Sequence, residues 1–310
     1  MSPKVSVVMA VFNGEKYLGQ AIDSILGQTF TDFEFIIVDD GSTDATSQII
    51  QGYGDARIRF ILNEENIGLT RSLNKGLSLA SGAYIARMDG DDVSLPERLA
   101  KQVEFMDANR EVGACGTWAM DIDQEGKIIG KRETFAGDQL NNFYWRSALT
   151  HSSAMFRFSQ TSGPRYDETA RVSQDYDLWL RIAAENKLGT LPEYLLLYRV
   201  HDESITVANS DNQMNTAYRI FSKHIGGQAI SYEAFKALMG YSQVLNPIKR
   251  TLATMRLARS LRKPYRIFFN DDIEYLRQWS QSQGSAAHSF VALPFRALRY
   301  LRRRIGFRLT

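Results

Sequence analysis

The chain has 310 residues, 44% hydrophobic and 23% charged, with a formal net charge of +2, a balance that allows one main α/β-sized core plus an appendage. Its single cysteine, Cys115, excludes an internal disulfide. The N-terminus from Met1 to Val5 lacks the long apolar stretch of a secretory signal, and no segment approaches the roughly 20 apolar residues of a spanning helix, so the expectation is a cytoplasmic protein that is not integral to a membrane.

In chain order, Val5 to Val11 reads as a buried strand and Glu15 to Leu26 as a helix with Tyr17, Ala21, Ile22 and Ile25 on one face. Glu34 to Val38 is the next strand, Asp44 to Ile50 a helix, Ile58 to Leu62 a strand, and Leu69 to Leu79 a helix with Leu73 and Leu77 at helical spacing. This βαβα alternation implies a parallel sheet. A further apolar run, Gly82 to Ala86, leads into an acidic turn. Ser94-Leu95-Pro96-Glu97 then carries the Ser and Glu of a capping box with Pro inside the first turn, which predicts a helix through about Ala108. Val112 to Ile122 and Lys127 to Lys131 read as a hairpin around Gln124-Glu125-Gly126. A strand near Ser153 to Phe158, a helix from about Asp175 to Asn186 and an extended segment from Tyr194 to His201 follow. From about Val207 onward polar and helical windows dominate, which divides the chain into an α/β domain of residues 1–206 and a mainly helical, basic extension of residues 207–310.

The acidic turn is Met88-Asp89-Gly90-Asp91-Asp92, three carboxylates where a strand ends. Clustered acids repel one another, and the arrangement becomes favourable when a divalent cation with an oxygen-rich ligand of its own sits among them, which points to a metal-bound diphosphate. Asp and Gly also gather in ordinary solvated turns. A second acidic turn, Val38-Asp39-Asp40-Gly41-Ser42-Thr43-Asp44, tips the balance, because two acidic ends in one parallel sheet share an edge and face one cleft. Asp121 to Gly126 imitates the opening of an EF-hand loop, but its twelfth position is Arg132 where a bidentate Glu is required, so that calcium site is rejected.

The turn after the first strand, Ala10-Val11-Phe12-Asn13-Gly14-Glu15, is not GxGxxG, and no GxxxxGK[ST] loop, HExxH pair or GxSxG elbow occurs. Nucleotide binding by acids, without a glycine-rich phosphate loop, is what remains. In this order, Val7 to Glu15, Ser24-Ile25-Leu26-Gly27-Gln28-Thr29, Val38 to Asp44, Asn66-Ile67-Gly68-Leu69-Thr70-Arg71-Ser72-Leu73-Asn74, the Asp-rich turn, Gln174-Asp175-Tyr176-Asp177-Leu178-Trp179-Leu180-Arg181 and Tyr198-Arg199-Val200-His201 resemble the family 2 glycosyltransferases. The match runs from Val5 to about Thr206.

That resemblance implies the GT-A fold, a Rossmann-like mixed sheet. It also implies sugar transfer with inversion from a nucleotide donor, UDP-linked in expectation, to a glycan or lipid-linked acceptor, with Mg²⁺ or Mn²⁺ as cofactor. Carried over residue by residue, Asp40 accepts from the nucleobase and Glu15 and Arg71 line its pocket, with Val11, Asn13, Asn66 and Gly68 in the matched donor motifs. Asp89 and Asp91, on either side of Gly90, look like the acids of the DxD motif. Asp92 matches the final acid of the turn, and the metal is left open between Asp91 and Asp92. His201 matches a position near the diphosphate and is grouped with the metal, and Asp175 occupies the position of the catalytic base. The family more often has Glu before that Asp, where Gln174 stands here.

Blander readings stand beside these: Asp175 as the N-cap of a helix whose Leu178, Trp179 and Ile182 face the core, Arg71 as an exposed helical charge, His151 and His201 as satisfied polar groups, and Trp118, Trp145 and Trp179 as packing residues. Residues 241–310 carry fourteen Lys and Arg against three acids, a net +11 that leaves −9 for the first 240. In the tail, Leu298, Leu301, Ile305 and Leu309 fall at helical spacing with Arg296, Arg299 and Arg303 on another side, which suits either the anionic inner face of a membrane or a helix packed on protein. No nucleic-acid partner is expected, because no reader module accompanies the charge. Two alternatives remain: a nucleotidyltransferase, whose Gly-rich, Arg-containing loop is missing, and a non-catalytic nucleotide-sugar scaffold.

Overall fold

The computed structural model describes residues 2–133, 149–170, 172–201 and 210–225, together with 232 and 235. The chain divides into two units, Met1–Gly227 and Gln228–Thr310, and the elements below belong to the first. The Arg-rich tail, Trp145 and most of the loop from Lys131 to Thr150 lie outside the described residues. None of the described helices is long and apolar enough to cross a membrane.

Strand β1 (Val5–Val11) is buried along its whole length because helices cover both of its faces. Parallel to it on one side run β2 (Phe33–Asp39) and then β3 (Ile58–Leu62), and on the other side β4 (Tyr84–Arg87). The sheet then turns mixed. Strand β8 (Met155–Arg157) is antiparallel to β4 and to β6 (Val112–Ile122), while β9 (Lys187–Arg199) runs parallel to β6 and pairs with the short β5 (Val93–Ser94). Strand β7 (Ile128–Arg132) closes the expected hairpin on β6. The order is β3-β2-β1-β4-β8-β6-β9-β5, nine strands among the described residues with β7 beside β6.

On one face α1 (Leu18–Leu26) and α4 (Arg98–Ala108) bury Leu18, Ala21, Ile22 and Ile25 with Leu99, Val103 and Met106 against Val5, Val7 and Met9. On the other, α3 (Leu69–Leu79) and α5 (Gln174–Glu185) bury Leu73, Leu77, Leu178, Trp179 and Ile182 against Val8, Ile36 and Phe156. The expected faces of α1, α3 and α5 are the ones that pack. The short α2 (Thr46–Gln51) follows β2, and α6 (Ser210–Ile225) lies against α5.

Two local expectations are corrected. The last strand does not begin near Tyr194 but at Lys187, and it absorbs a break: Leu191 pairs with Thr117 and Tyr194 with Trp118, so Pro192 and Glu193 are bulged out of the ladder, where a residue without an N–H is tolerated. The capping box before α4 also does not form. Ser94 is extended and paired with Leu196, so it cannot curl into an N-cap, and α4 starts at Arg98 with no side-chain cap from its own segment.

The buried Gln28 supplies that cap from the end of α1. Its Oε1 accepts from Leu99 N–H at 3.0 Å, while its Nε2 donates to Ser24 O (2.9 Å), Leu95 O (2.8 Å) and Ser94 Oγ (3.1 Å). Gln28→Ala orphans these groups, so we expect a loss of about 1–3 kcal/mol. Urea unfolding should show a lowered midpoint at constant slope, with Ser94→Ala much closer to wild type.

Candidate active site

Strands β1, β2 and β4 are parallel neighbours, so their carboxyl ends bring the loops 12–17, 40–45 and 88–92 to one edge. The first two loops brace each other. Asn13, at φ 51, accepts Thr43 N–H at 2.9 Å and donates its own N–H to Ser42 Oγ at 2.9 Å. Gly14 N–H reaches Thr46 Oγ1 at 2.8 Å, Glu15 N–H reaches Asp44 Oδ2 at 3.1 Å, and Glu15 Oε2 accepts Ala45 N–H at 2.8 Å. Asp40 N–H closes the edge on Val11 O at 2.8 Å.

The Asp40 carboxylate is buried and bonded through both oxygens. Oδ1 accepts from Asn63 Nδ2 (2.8 Å), Ser72 Oγ (2.8 Å) and Ile67 N–H (3.0 Å), and Oδ2 accepts from Gly68 N–H (2.9 Å). Oδ1 is saturated by its three donors, while Oδ2 takes one and keeps a lone pair. What Asp40 does in this geometry is hold the loop 63–68, including Asn66, at the entrance of α3. Gly41 permits the approach: at φ 74, a Cβ there would lie 2.6 Å from the Glu65 carbonyl carbon. Gly68 opens α3 at φ 94, a region closed to other residues. Arg71 is exposed, and its guanidinium pairs with Glu168 at 3.5 Å.

The three acids of the Asp-rich turn have three different partners. Asp89 is ion-paired with Arg87, which is 1% exposed at the end of β4, and its N–H donates to Ser152 Oγ at 3.0 Å. Asp91 Oδ2 lies 2.9 Å from His201 Nε2, with its side chain a third exposed, and burial together with the Asp89 charge pushes its carboxyl up. Asp92 is sealed at 1% exposure. Its Oδ1 accepts Arg199 N–H at 2.8 Å and its Oδ2 has no hydrogen-bond partner among the described residues, so burial and the charges of Asp91 and Asp89 raise its carboxyl well above the usual range. Of the two acids considered for the metal, Asp91 is partly open to solvent and Asp92 is closed off.

Three buried arginines underlie this turn, and none of them was assigned a role from sequence. Arg199, 2% exposed, donates to Asp91 O (2.8 Å), Asp123 O (3.0 Å), Gln124 O (3.2 Å) and Gln20 Oε1 (2.8 Å), and its guanidinium carbon stands 4.3 Å from the Tyr17 ring centre. Arg98 donates to Arg87 O and Ser152 O, and burial lowers its pKa to about 10 against the opposing charge of Asp92. The signal was legible in principle: Arg87 and Arg199 each interrupt an apolar strand, and a guanidinium in such a place demands carboxylate or carbonyl partners.

Among the described residues no group of three or more His, Cys, Asp or Glu could cage a metal. The pair Asp91–His201 nevertheless fits Mg²⁺ or Mn²⁺, which commonly take one or two protein ligands and complete their shell with substrate phosphate oxygens and water. The rejected calcium loop spends its acids locally, Asp121 on Arg132 and Asp123 on the N–H groups of Glu125 and Lys127.

Asp175 sits in the first turn of α5. It is not the N-cap, which is Ser173 in the left-handed region at φ 57. The charges of Asp175 and Asp89 both act on the His151 imidazole and on the Tyr166 phenol, so the two carboxylates flank that pair. His151 Nε2 lies 2.8 Å from Tyr166 OH, and its ring meets Trp179 edge-on. Trp179 is a packing residue at 1% exposure, and Trp118 is half-buried against Tyr194.

Residues 6–163 match the model of glycosyl transferase family 2. The chain belongs to that family. It is 39% identical over 230 residues to an uncharacterized glycosyltransferase of Methanocaldococcus jannaschii, covering 72% of this chain and 79% of that one. It is 35% identical over 206 residues to the O-antigen biosynthesis glycosyltransferase WbnJ of Escherichia coli, covering 64% and 81%. Residues 1–349 of S. aureus TarS, solved in complex with UDP, superpose with a TM-score of 0.61 at 17% identity over 95% of this chain and 91% of that one. The mannosyltransferase PcManGT of Pyrobaculum calidifontis, solved with GDP-Man and Mn2+, gives 0.54 at 18% over 87% and 84%. The GT-A fold and a transferase activity follow, which sets aside the nucleotidyltransferase and scaffold alternatives.

Burial lowers the His151 pKa from 6.5 to about 4, with the Arg87 charge helping. A depressed folded value means stability that is complete above pH 6.5 and is lost as pH falls toward 4, amounting to about 2 kcal/mol at pH 5. Unfolding free energies at pH 7 and pH 5 should differ by that much more in wild type than in His151→Gln.

Proposed function

We propose that this chain is an inverting glycosyltransferase that moves a sugar from a UDP-linked donor to a glycan or lipid-linked acceptor in cell-surface polysaccharide assembly, on the cytoplasmic side of the membrane. The observation that carries the reading is the convergence at one sheet edge of Asp89 with the partly open Asp91–His201 pair, together with Asp175, whose charge acts on the same His151 and Tyr166 as that of Asp89. The UDP held by the TarS structure and the biosynthetic role of WbnJ support the donor and the process.

In this reading the loops after β1 and β2, with Val11, Asn13 and Glu15, form the nucleoside side together with the segment from Asn66 to Gly68 that Asp40 fixes. Asp89, steadied by Arg87, faces the ribose across Gly90, and Asp91 with His201 would hold Mg²⁺ or Mn²⁺ at the diphosphate. The ion, when bound, stabilises negative charge on the departing diphosphate. Arg71 reaches the nucleotide only by leaving Glu168. Asp175 takes the proton from the acceptor hydroxyl as that oxygen attacks the anomeric carbon from the face opposite the diphosphate. The carbon–oxygen bond to phosphate breaks, and its electron pair leaves with UDP.

Thermal unfolding with a panel of nucleoside diphosphates, with and without Mn²⁺, checks the donor. UDP with Mn²⁺ should stabilise the chain by about 2.7 kcal/mol at a hundredfold excess over Kd, and Asp91→Asn should remove the metal-dependent part. GDP outperforming UDP would overturn the donor assignment. Asp175→Asn should keep the UDP shift and lower turnover by roughly 10²–10⁴-fold; unaltered turnover would remove Asp175 as the base.

A further inference from the structure

The helix that carries Asp175 is tied down at its first turn by α6, which lies beyond the residues matched by the family model. Asp177, two residues after Asp175, is 1% exposed and has both oxygens occupied: Oδ1 lies 2.8 Å from His224 Nε2, and Oδ2 accepts Arg181 Nε at 2.8 Å. Arg181 also donates to Arg165 O at 2.5 Å, anchoring the preceding loop. These two hydrogen bonds hold the Asp177 carboxyl below its ordinary value although burial alone would raise it.

Two more tethers join the same elements. Ser173, the left-handed residue before the helix, donates its hydroxyl to Gln213 O at 3.2 Å. Lys223, next to His224, pairs with Asp167 in the approach to α5 at 3.1 Å. The apolar positions Met214, Ala217 and Phe221 of α6 are buried. A surface helix docked only by apolar contact would slide with little penalty, whereas a buried carboxylate gripped from two sides fixes rotation and height together.

We infer that α6 is a positioning element for the reaction and that His224 is its positioning residue, holding Asp175 in register with the acceptor hydroxyl through Asp177 without touching substrate. This rests on the reading of Asp175 as the base, and it extends the catalytic apparatus past residue 206. The polar tethers of α6 reach α5 and its approach, so its loss should cost turnover and spare nucleotide binding.

The test uses the full chain and three variants, His224→Ala, His224→Gln and Ser173→Gly, the last removing the hydroxyl while keeping a residue suited to φ 57. UDP release is followed with the UDP-sugar that wild type turns over fastest, and UDP–Mn²⁺ affinity and the unfolding midpoint are measured in parallel. We expect His224→Ala to lower kcat at least tenfold with UDP affinity within twofold of wild type, His224→Gln to recover most of that loss, and Ser173→Gly to show a smaller loss with the same split. Turnover of His224→Ala within twofold of wild type, or a parallel loss of UDP affinity and kcat, overturns the proposal. Should His224→Ala fail to fold, Ser173→Gly decides alone, with unaltered kcat counting against. Asp175→Asn in the same assay separates the two readings: if it keeps wild-type turnover the base assignment fails, whereas an inactive Asp175→Asn beside an active His224→Ala sinks only the clamp.

Discussion

The buried guanidinium of Arg199 is the interaction on which the acidic edge depends. Three acids and carbonyl-rich turns cannot be gathered at one strand edge without a compensating cation, and a cation on the solvent side would occupy the cleft itself. Arg199 solves this from beneath. Its side chain bonds the Asp91 and Asp123 carbonyls and its backbone N–H bonds Asp92, so the acidic turn, the β6–β7 turn and the end of β9 are fixed to one group. Arg is suited to this where Lys is not, because a planar fork with five donors can satisfy several carbonyls at once without leaving a buried donor idle. A residue beyond it in the chain, His201, is thereby delivered to Asp91.

The donor-side loops apply the same logic with neutral groups. Asn13, Ser42, Thr43, Asp44 and Thr46 bond across two loops that belong to different βα units, and Asp40 joins them to a third segment through Asn63 and Gly68. Each bond is worth little alone, about 1 kcal/mol net. Their collective effect is preorganisation: the loops are held before any ligand arrives, so binding energy is not consumed in ordering them.

The sequence carried the frame well, since the apolar periodicity of β1, α1, α3 and α5 reports the very faces that pack, and strand ends follow from the acidic turns. It carried the long-range polar partners poorly. Gln28 caps a helix 71 residues away, Arg199 reaches α1 across 179 residues, and Asp177 meets His224 47 residues on. None of these pairings leaves a local period. The capping box failed because strand pairing with β9 outweighed a local propensity at Ser94, and the early part of β9 leaves no continuous period because the bulge at Pro192 and Glu193 interrupts it. The Asp91 and Asp92 alternatives were equivalent as letters in a motif; only burial separates them.

That separation explains why three carboxylates can share so short a turn. Were all three exposed, their mutual repulsion would resist the folded geometry; were all three buried, the desolvation of three charges would exceed what the turn's hydrogen bonds return. The observed solution grades them. Asp92 is buried and held by Arg199 N–H with Arg98 behind it, while Asp89, paired with Arg87, and Asp91, facing His201, are exposed to nearly the same extent, 29% and 33%. Burial and the Asp89 charge push the Asp91 carboxyl up, and the contact with His201 is what opposes that rise and favours the ionised form.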